Sequence, residues 1–151
     1  MENARTVLGF GPERQAQPCV IKWGRVGQEV HVWISPEGGG TCPEVGAAGP
    51  DLFRGLMGVR RQLYGRGWQL LVAGARRDAW HGTPQHPCSP DHLRVYRNFG
   101  AAPSSEVHVL NHERDLQALA TSWEEQFLWR QEWENPQSRA WTNTFGASYA
   151  R

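Results

Sequence analysis

Between Gly65 and Trp80 the chain reads GRGWQLLVAGARRDAW, and this stretch limits the fold more than any other. Its apolar run, Trp68 to Ala73, stands between Gly65, Gly67 and Gly74. That is the length of a strand and about half of what a stable helix needs. A strand this short requires neighbours on both sides, so the rest of the chain has to supply a sheet around it. Immediately upstream, Leu52, Leu56, Val59 and Leu63 recur at helical spacing, with Phe53 and Met57 widening the stripe. Pro50 or Asp51 suits the helix start, and Gly65 and Gly67 suit its exit. Gly55 and Gly58 each weaken such a helix by about 1 kcal/mol relative to alanine, which points to close packing of the helix on the sheet.

The remaining elements follow from the same two periods. Cys19–Trp23 and Glu29–Ile34 read as a β-hairpin turning near Gly27, with Val30, Val32 and Ile34 on one face and His31 and Trp33 on the other. Residues 1–18 read as a loosely attached arm in which Thr6–Phe10 adds at most a short edge strand, and 36–50 reads as a breaker-rich surface loop. Leu93–Phe99 and Glu106–Leu110 are further strands. A closing helix spans His112 to Trp133, its stripe formed by Leu116, Leu119, Ala120, Trp123 and Phe127, with Asn111 as cap. The expected architecture is α+β, a mainly antiparallel sheet of about five strands with two principal helices on one face. Residues 19–134 form its single domain, and the aromatic tail 135–151, with Trp141, Phe145 and Tyr149, folds back onto it.

Charge is distributed unevenly along this order. Residues 50–97 hold eight arginines against Asp51, Asp78 and Asp91, a local excess of +5, whereas 106–134 hold seven acids against Arg114 and Arg130, a local −5. The overall +1 supplies no field for nucleic acid or an anionic membrane, so neither is expected as a partner. Trp80, Tyr96 and Phe99 interleave with arginines as stacking platforms do, but the acidic closing helix opposes that use. The opening residues carry acids and no sustained apolar run, so no secretory signal is read there. Cys19, Cys42 and Cys88 are an odd and sparse set, which fits free thiols and a cytoplasmic location. The glycines of 36–50 lack the Lys-Ser or Lys-Thr ending of a phosphate-binding loop.

Three constellations are candidates for chemistry. Arg76, Arg77 and Asp78 follow the central apolar run. One arginine fork there is suited to clamping a carboxylate or phosphate while Asp78 fixes a guanidinium, and Arg54, Arg61, Arg94 and Arg97 are placed to widen the positive region. The alternative is a salt-bridged turn facing the acidic closing helix. Trp129 and Trp133 are i,i+4 neighbours and make an aromatic surface of the kind that anchors protein interfaces. His81, His86, Cys88 and His92, beside Asp91, are the densest set of zinc-ligand types, although their spacing matches neither paired-cysteine zinc sites nor His-Glu-x-x-His. Cys88 beside His86 is not a nucleophile–base pair by position, and Asp78, Asp91 and Glu106 have no distinctive spacing for hydrolysis.

Trp68-x-Leu-Leu, then Gly74-Ala75-Arg76-Arg77-Asp78-Ala79 and Leu93-Arg94-Val95-Tyr96, resemble a pattern in small uncharacterised bacterial proteins. The likeness covers the middle third of the chain and departs at Gly82 and Thr83, where that pattern continues with a serine and methionines. It implies a bacterial accessory protein and carries no catalytic residue. The function expected from all of this is a non-enzymatic protein-binding domain, such as an immunity, antitoxin-like or accessory factor. It would bind through Arg76, Arg77, Asp78, Trp129 and Trp133, without a cofactor. The alternatives are a small-ligand binder or hydrolase taking an anionic ligand beside Arg76 and Asp78, or a module stabilised by zinc on the His81–His92 loop.

Overall fold

The hairpin is the frame on which the other elements are laid. In the computed structural model, which describes residues 2–98 and 101–134, strand β2 (Ala16–Val26) pairs with β3 (Glu29–Pro36) from Val26↔Glu29 to Cys19↔Pro36. The two-residue turn places Gly27 at φ +63, where a side chain would be strained. Cys19, Ile21, Trp23, Val30, Val32 and Ile34 all face the core, as the period of two requires.

Both flanks of the hairpin carry more strand than the sequence pattern predicts, which is at most a short edge strand at Thr6–Phe10 and a loop at 36–50. Residues 3–10, read from sequence as part of an arm, form β1 (Asn3–Phe10), paired antiparallel with β2 along its whole length. Gly9 and Gly11 are not breakers here. A Cβ on Gly9 would stand 2.8 Å from Cys19 Sγ, and one on Gly11 would stand 2.6 Å from the Trp68 ring. On the other flank, β4 (Val45–Gly49) pairs with β3 inside the supposed surface loop. It is built of small residues because helix α1 (Leu52–Tyr64) lies directly on it: Cβ atoms on Gly49 and Gly55 would meet Gly55 N and Val32 Cγ2, each at 2.7 Å. The close packing that Gly55 and Gly58 implied is therefore present. Asp51 caps α1 by accepting from Arg54 N at 2.8 Å, and Gln62 Nε2 donates to Gly46 O at 2.8 Å.

The apolar run at 68–73 is central in packing but not in hydrogen bonding. Only β5 (Gln69–Leu70) is strand, and it sits at the edge of the large sheet, paired with Gly9 and Phe10 of β1. The chain then leaves the sheet, bridges His112 through Val72, and closes a 3-10 turn at Ala73–Ala75 with Gly74 pressed on Val109. Among the described residues the strands form two antiparallel sheets, the larger ordered β4-β3-β2-β1-β5. The smaller joins β6 (Ala79–Trp80), β7 (His92–Val95) and β8 (Val107–His108).

Helix α2 is shorter than its pattern suggests, spanning Trp123–Glu134 rather than starting at His112. Residues 112–122 are instead drawn out along 75–77. Arg77 N donates to Ala118 O and Ala120 N to Ala75 O, both at 2.8 Å, around a 3-10 turn at Leu116–Ala118. The expected stripe is correspondingly split. Leu119 and Ala120 are buried, whereas Leu116 and Phe127 are 52% and 44% exposed. The buried side of α2 is polar, carrying Glu125, Gln126, Arg130 and Glu132 beside Trp129.

Arg60, 2% exposed, explains that inversion. Its Nη1 donates to Gly74 O at 2.9 Å and to Gln126 Oε1 at 2.7 Å, and its Nη2 donates to Tyr64 Oη at 2.6 Å. Gln126 Nε2 donates in turn to Gly74 O and Arg76 O. One polar knot thus joins α1, the 73–76 turn and α2. The expected tail at 135–151 lies outside the described residues. Among those described, no helix is long and apolar enough to cross a membrane.

Candidate functional site

The turn after β5 brings Arg76 and Asp78 together but directs them at each other. Arg76 Nε and Nη2 bond Asp78 Oδ1 and Oδ2 at 2.8 and 3.0 Å, and Nη1 bonds Glu113 Oε1 at 2.9 Å. Burial disfavours the charged guanidinium, but these two carboxylates outweigh it and raise its pKa. Arg77 points the other way, its Nε 3.9 Å from Glu125 Oε1 on α2. This is the arrangement of a salt-bridged turn facing the acidic helix. An open depression of about 580 Å³ lies beside it, with both signs of charge on its walls: Arg77 and Arg97 against Glu113 and Asp115.

Trp129 and Trp133 are likewise turned inward. Trp129 is 4% exposed and its indole N–H donates to Tyr96 O at 2.7 Å. Trp133 donates to Asn98 O at 3.1 Å and sets its ring edge-to-face on Tyr96 at 4.7 Å and on His86 at 5.9 Å. Arg130 lies over the Tyr96 and Trp133 rings at 5.1 and 5.4 Å. The two tryptophans fasten α2 to the end of β7, so they are structural anchors before they are interface anchors.

The three histidines of the candidate zinc set are dispersed into separate ring contacts. His81 packs on Phe53 and Trp80, His86 on Tyr96 and Trp133, and His92 on His108. Cys88 lies against Gly82, whose added Cβ would be 2.4 Å from Cys88 N. Among the described residues no group of three or more His, Cys, Asp or Glu has the geometry of a metal site. Burial lowers the pKa of His81, and Arg54 lowers it further; burial raises that of the Cys88 thiol. The cavity of about 340 Å³ that His81 and Cys88 share with His92 therefore presents a neutral imidazole and a protonated thiol, not an activated nucleophile.

A feature the sequence signals only faintly is the outer edge of β1. Leu8 O accepts from Leu71 N at 2.9 Å, so the polar groups of Leu8 face away from β2. By the two-residue alternation those of Thr6 and Ala4 do so too. Beyond Gly9 and Phe10, however, β5 no longer runs beside β1. The outward N–H and C=O groups of Ala4 and Thr6 consequently have no backbone partner among the described residues, and both residues are exposed. Next to this edge is an open groove of about 560 Å³ with Val7, Leu8, Leu71 and Leu110 among its lining and Arg5 and His112 on its rim. Arg5 Nη1 reaches Asn111 Oδ1 at 3.3 Å and His108 Nδ1 at 3.4 Å. The opposite edge of the sheet is not equivalent, because α1 lies along β4 and Gln62 occupies Gly46 O.

No protein-family model matches this chain, and no curated protein matches it either.

Proposed function

We propose that this chain is a protein-binding domain that takes up an extended segment of its partner as an added strand on β1. The observation carrying this reading is a pair of edge residues, Ala4 and Thr6, that have no backbone partner among the described residues, beside a groove lined by Val7, Leu71 and Leu110. Main-chain bonds to such an edge provide affinity, and alternate side chains entering the groove provide selectivity. Arg5 and His112 at the rim favour a segment with an acidic residue next to its apolar ones. An immunity, antitoxin-like or accessory factor needs a surface of this kind. The small-ligand or hydrolase reading is weaker, since the donors of Arg76 are already taken by Asp78 and Glu113.

The test is selection of binders from a displayed library of short random peptides, followed by amide hydrogen exchange of the complex. Enriched peptides should alternate apolar residues with an acid, and binding should slow exchange at Ala4 and Thr6. Thr6→Pro should weaken binding by about tenfold or more while leaving the melting temperature nearly unchanged, because its N–H serves no bond to β2. Peptides that bind Thr6→Pro undiminished, or that protect the Arg77–Arg97 depression instead of β1, would overturn the proposal.

A further inference from the structure

Two of the three cysteines meet inside the core of the large sheet. Cys19 stands on β2 opposite Val7 of β1 and Pro36 of β3, and Cys42 comes from the connection between β3 and β4. Their exposures are 0% and 3%. Gln17 is two residues before Cys19 and so projects from the same face of β2. It holds the connection in place from both ends of its amide: Nε2 donates to Thr41 Oγ1 at 3.2 Å and Oε1 accepts from Thr41 N at 2.7 Å. Cys19 follows on that face of β2 and Cys42 follows Thr41 on the connection, so the Gln17–Thr41 clasp holds the two buried cysteines on neighbouring segments, where each thiol acts on the other. Their interaction raises the pKa of Cys19 and lowers that of Cys42, so Cys42 ionises first. Glu37, Gly38 and Gly39 of the same connection are exposed, and a Cβ on either glycine would touch nothing within 4 Å.

We propose that Cys19 and Cys42 are an oxidisable pair that closes to an intrachain disulfide when the protein meets a peroxide. The Cys42 thiolate attacks one oxygen of hydrogen peroxide. The O–O bond breaks, the departing hydroxide takes up a proton to become water, and Cys42 is left as a sulfenic acid. Cys19 then attacks that sulfur, an S–S bond replaces the S–O bond, and the second oxygen leaves as water with the Cys19 proton. Two thiols lose two electrons, and one peroxide becomes two waters. The product ties β2 to the connection leading into β4, closing a long loop in the unfolded chain and stabilising the fold accordingly. Cys88 is separate from the pair, lying beside Arg94.

The experiment treats the folded full chain with hydrogen peroxide and then counts thiols in denaturant, with peptide mapping under non-reducing conditions. Wild type and Cys88→Ser should each lose two thiols and yield a cross-linked peptide joining Cys19 to Cys42. Their melting temperatures should rise by roughly 5 °C or more, reversibly with a reductant. Cys19→Ser should instead trap a sulfenic acid on Cys42 that a dimedone probe labels. Survival of all three thiols in the folded wild type, or a cross-link that uses Cys88, would overturn the proposal, and neither result depends on a cysteine variant folding.

Discussion

Replacing Arg60 by alanine tests whether the polar knot beneath α2 holds the two helices together. The guanidinium bonds Gly74 O, Gln126 Oε1 and Tyr64 Oη, and no ion pair accompanies it among the described residues. Gly74 O keeps its bond from Gln126 Nε2, and Tyr64 Oη keeps Ala120 O as its acceptor. Gln126 Oε1 is left buried with no donor, at about 1–3 kcal/mol. The truncated side chain also leaves a cavity at a site that is 2% exposed, costing about 1–2 kcal/mol more. Release from burying an unpaired cation offsets part of this. A net loss of about 3 kcal/mol follows, or roughly 10 °C in melting temperature. Urea unfolding followed by tryptophan fluorescence measures it. Arg60→Ala and Gln126→Ala should be non-additive by about 1–2 kcal/mol, since both delete the same bond. A cost below about 1 kcal/mol, or strict additivity, would refute the argument.

Gly55→Ala should destabilise by about 1–3 kcal/mol despite alanine's better helix propensity, because its Cβ would fall 2.7 Å from Val32 Cγ2. Gly65→Ala should be neutral or slightly stabilising, as Gly65 has φ −62 and the new Cβ would meet only Gln62 O at 3.5 Å; chemical denaturation of both variants checks the contrast. His81 is pushed below its ordinary 6.5 by burial and by Arg54, so the unfolded chain takes up a proton first as the pH falls. Its contribution is complete above pH 6.5 and is lost as pH drops through the folded value. His81→Phe, which keeps a ring against Phe53 and Trp80, should flatten melting temperature against pH in that window. For Asp51, burial alone would raise the pKa, but bonds from Arg54 prevail and lower it from 3.8. Stability tied to Asp51 is thus present above pH 3.8 and lost below it. Asp51→Asn should keep the helix cap yet show a shallower acid limb in the same melts.

The α+β class, the hairpin at 19–34, helix α1 and the meaning of Gly55 were legible because period and propensity agreed there. The misses share a cause, which is that small or polar residues were serving tertiary contacts. In β1 and just after it, Gly9 and Gly11 look like breakers until Cys19 Sγ and the Trp68 ring are seen against them. In β4, Val-Gly-Ala-Ala-Gly has no strand propensity because α1 rests on it. For the closing helix, the expected stripe ran through Leu116, which lies in the 3-10 turn before α2, and Phe127, which is exposed on α2 because Arg60 reaches in from α1 and requires Gln126 on the buried side. A helix that buries polar residues to satisfy a distant arginine gives no periodic apolar signal.

The site residues follow the same logic. Residue type drew attention to arginines, tryptophans and histidines, but these groups are also what a fold with a modest aliphatic content uses to fill and fasten its interior. Arg76 is consumed by Asp78 and Glu113, Trp129 by Tyr96 O, and the histidines by neighbouring rings. Among the described residues, what the fold leaves without a partner is backbone, at Ala4 and Thr6, and unpaired backbone has no residue-type signature. It arises from a mismatch in length. β1 runs eight residues along β2, whereas β5 turns away after two, drawn toward His112 and Val109 by the bridge at Val72 and the tight seat of Gly74. The apolar run that organises the chain therefore leaves the edge of β1 unpaired among the described residues by departing from the sheet early. A substitution that extended β5 along β1 would close that edge without touching any of its residues.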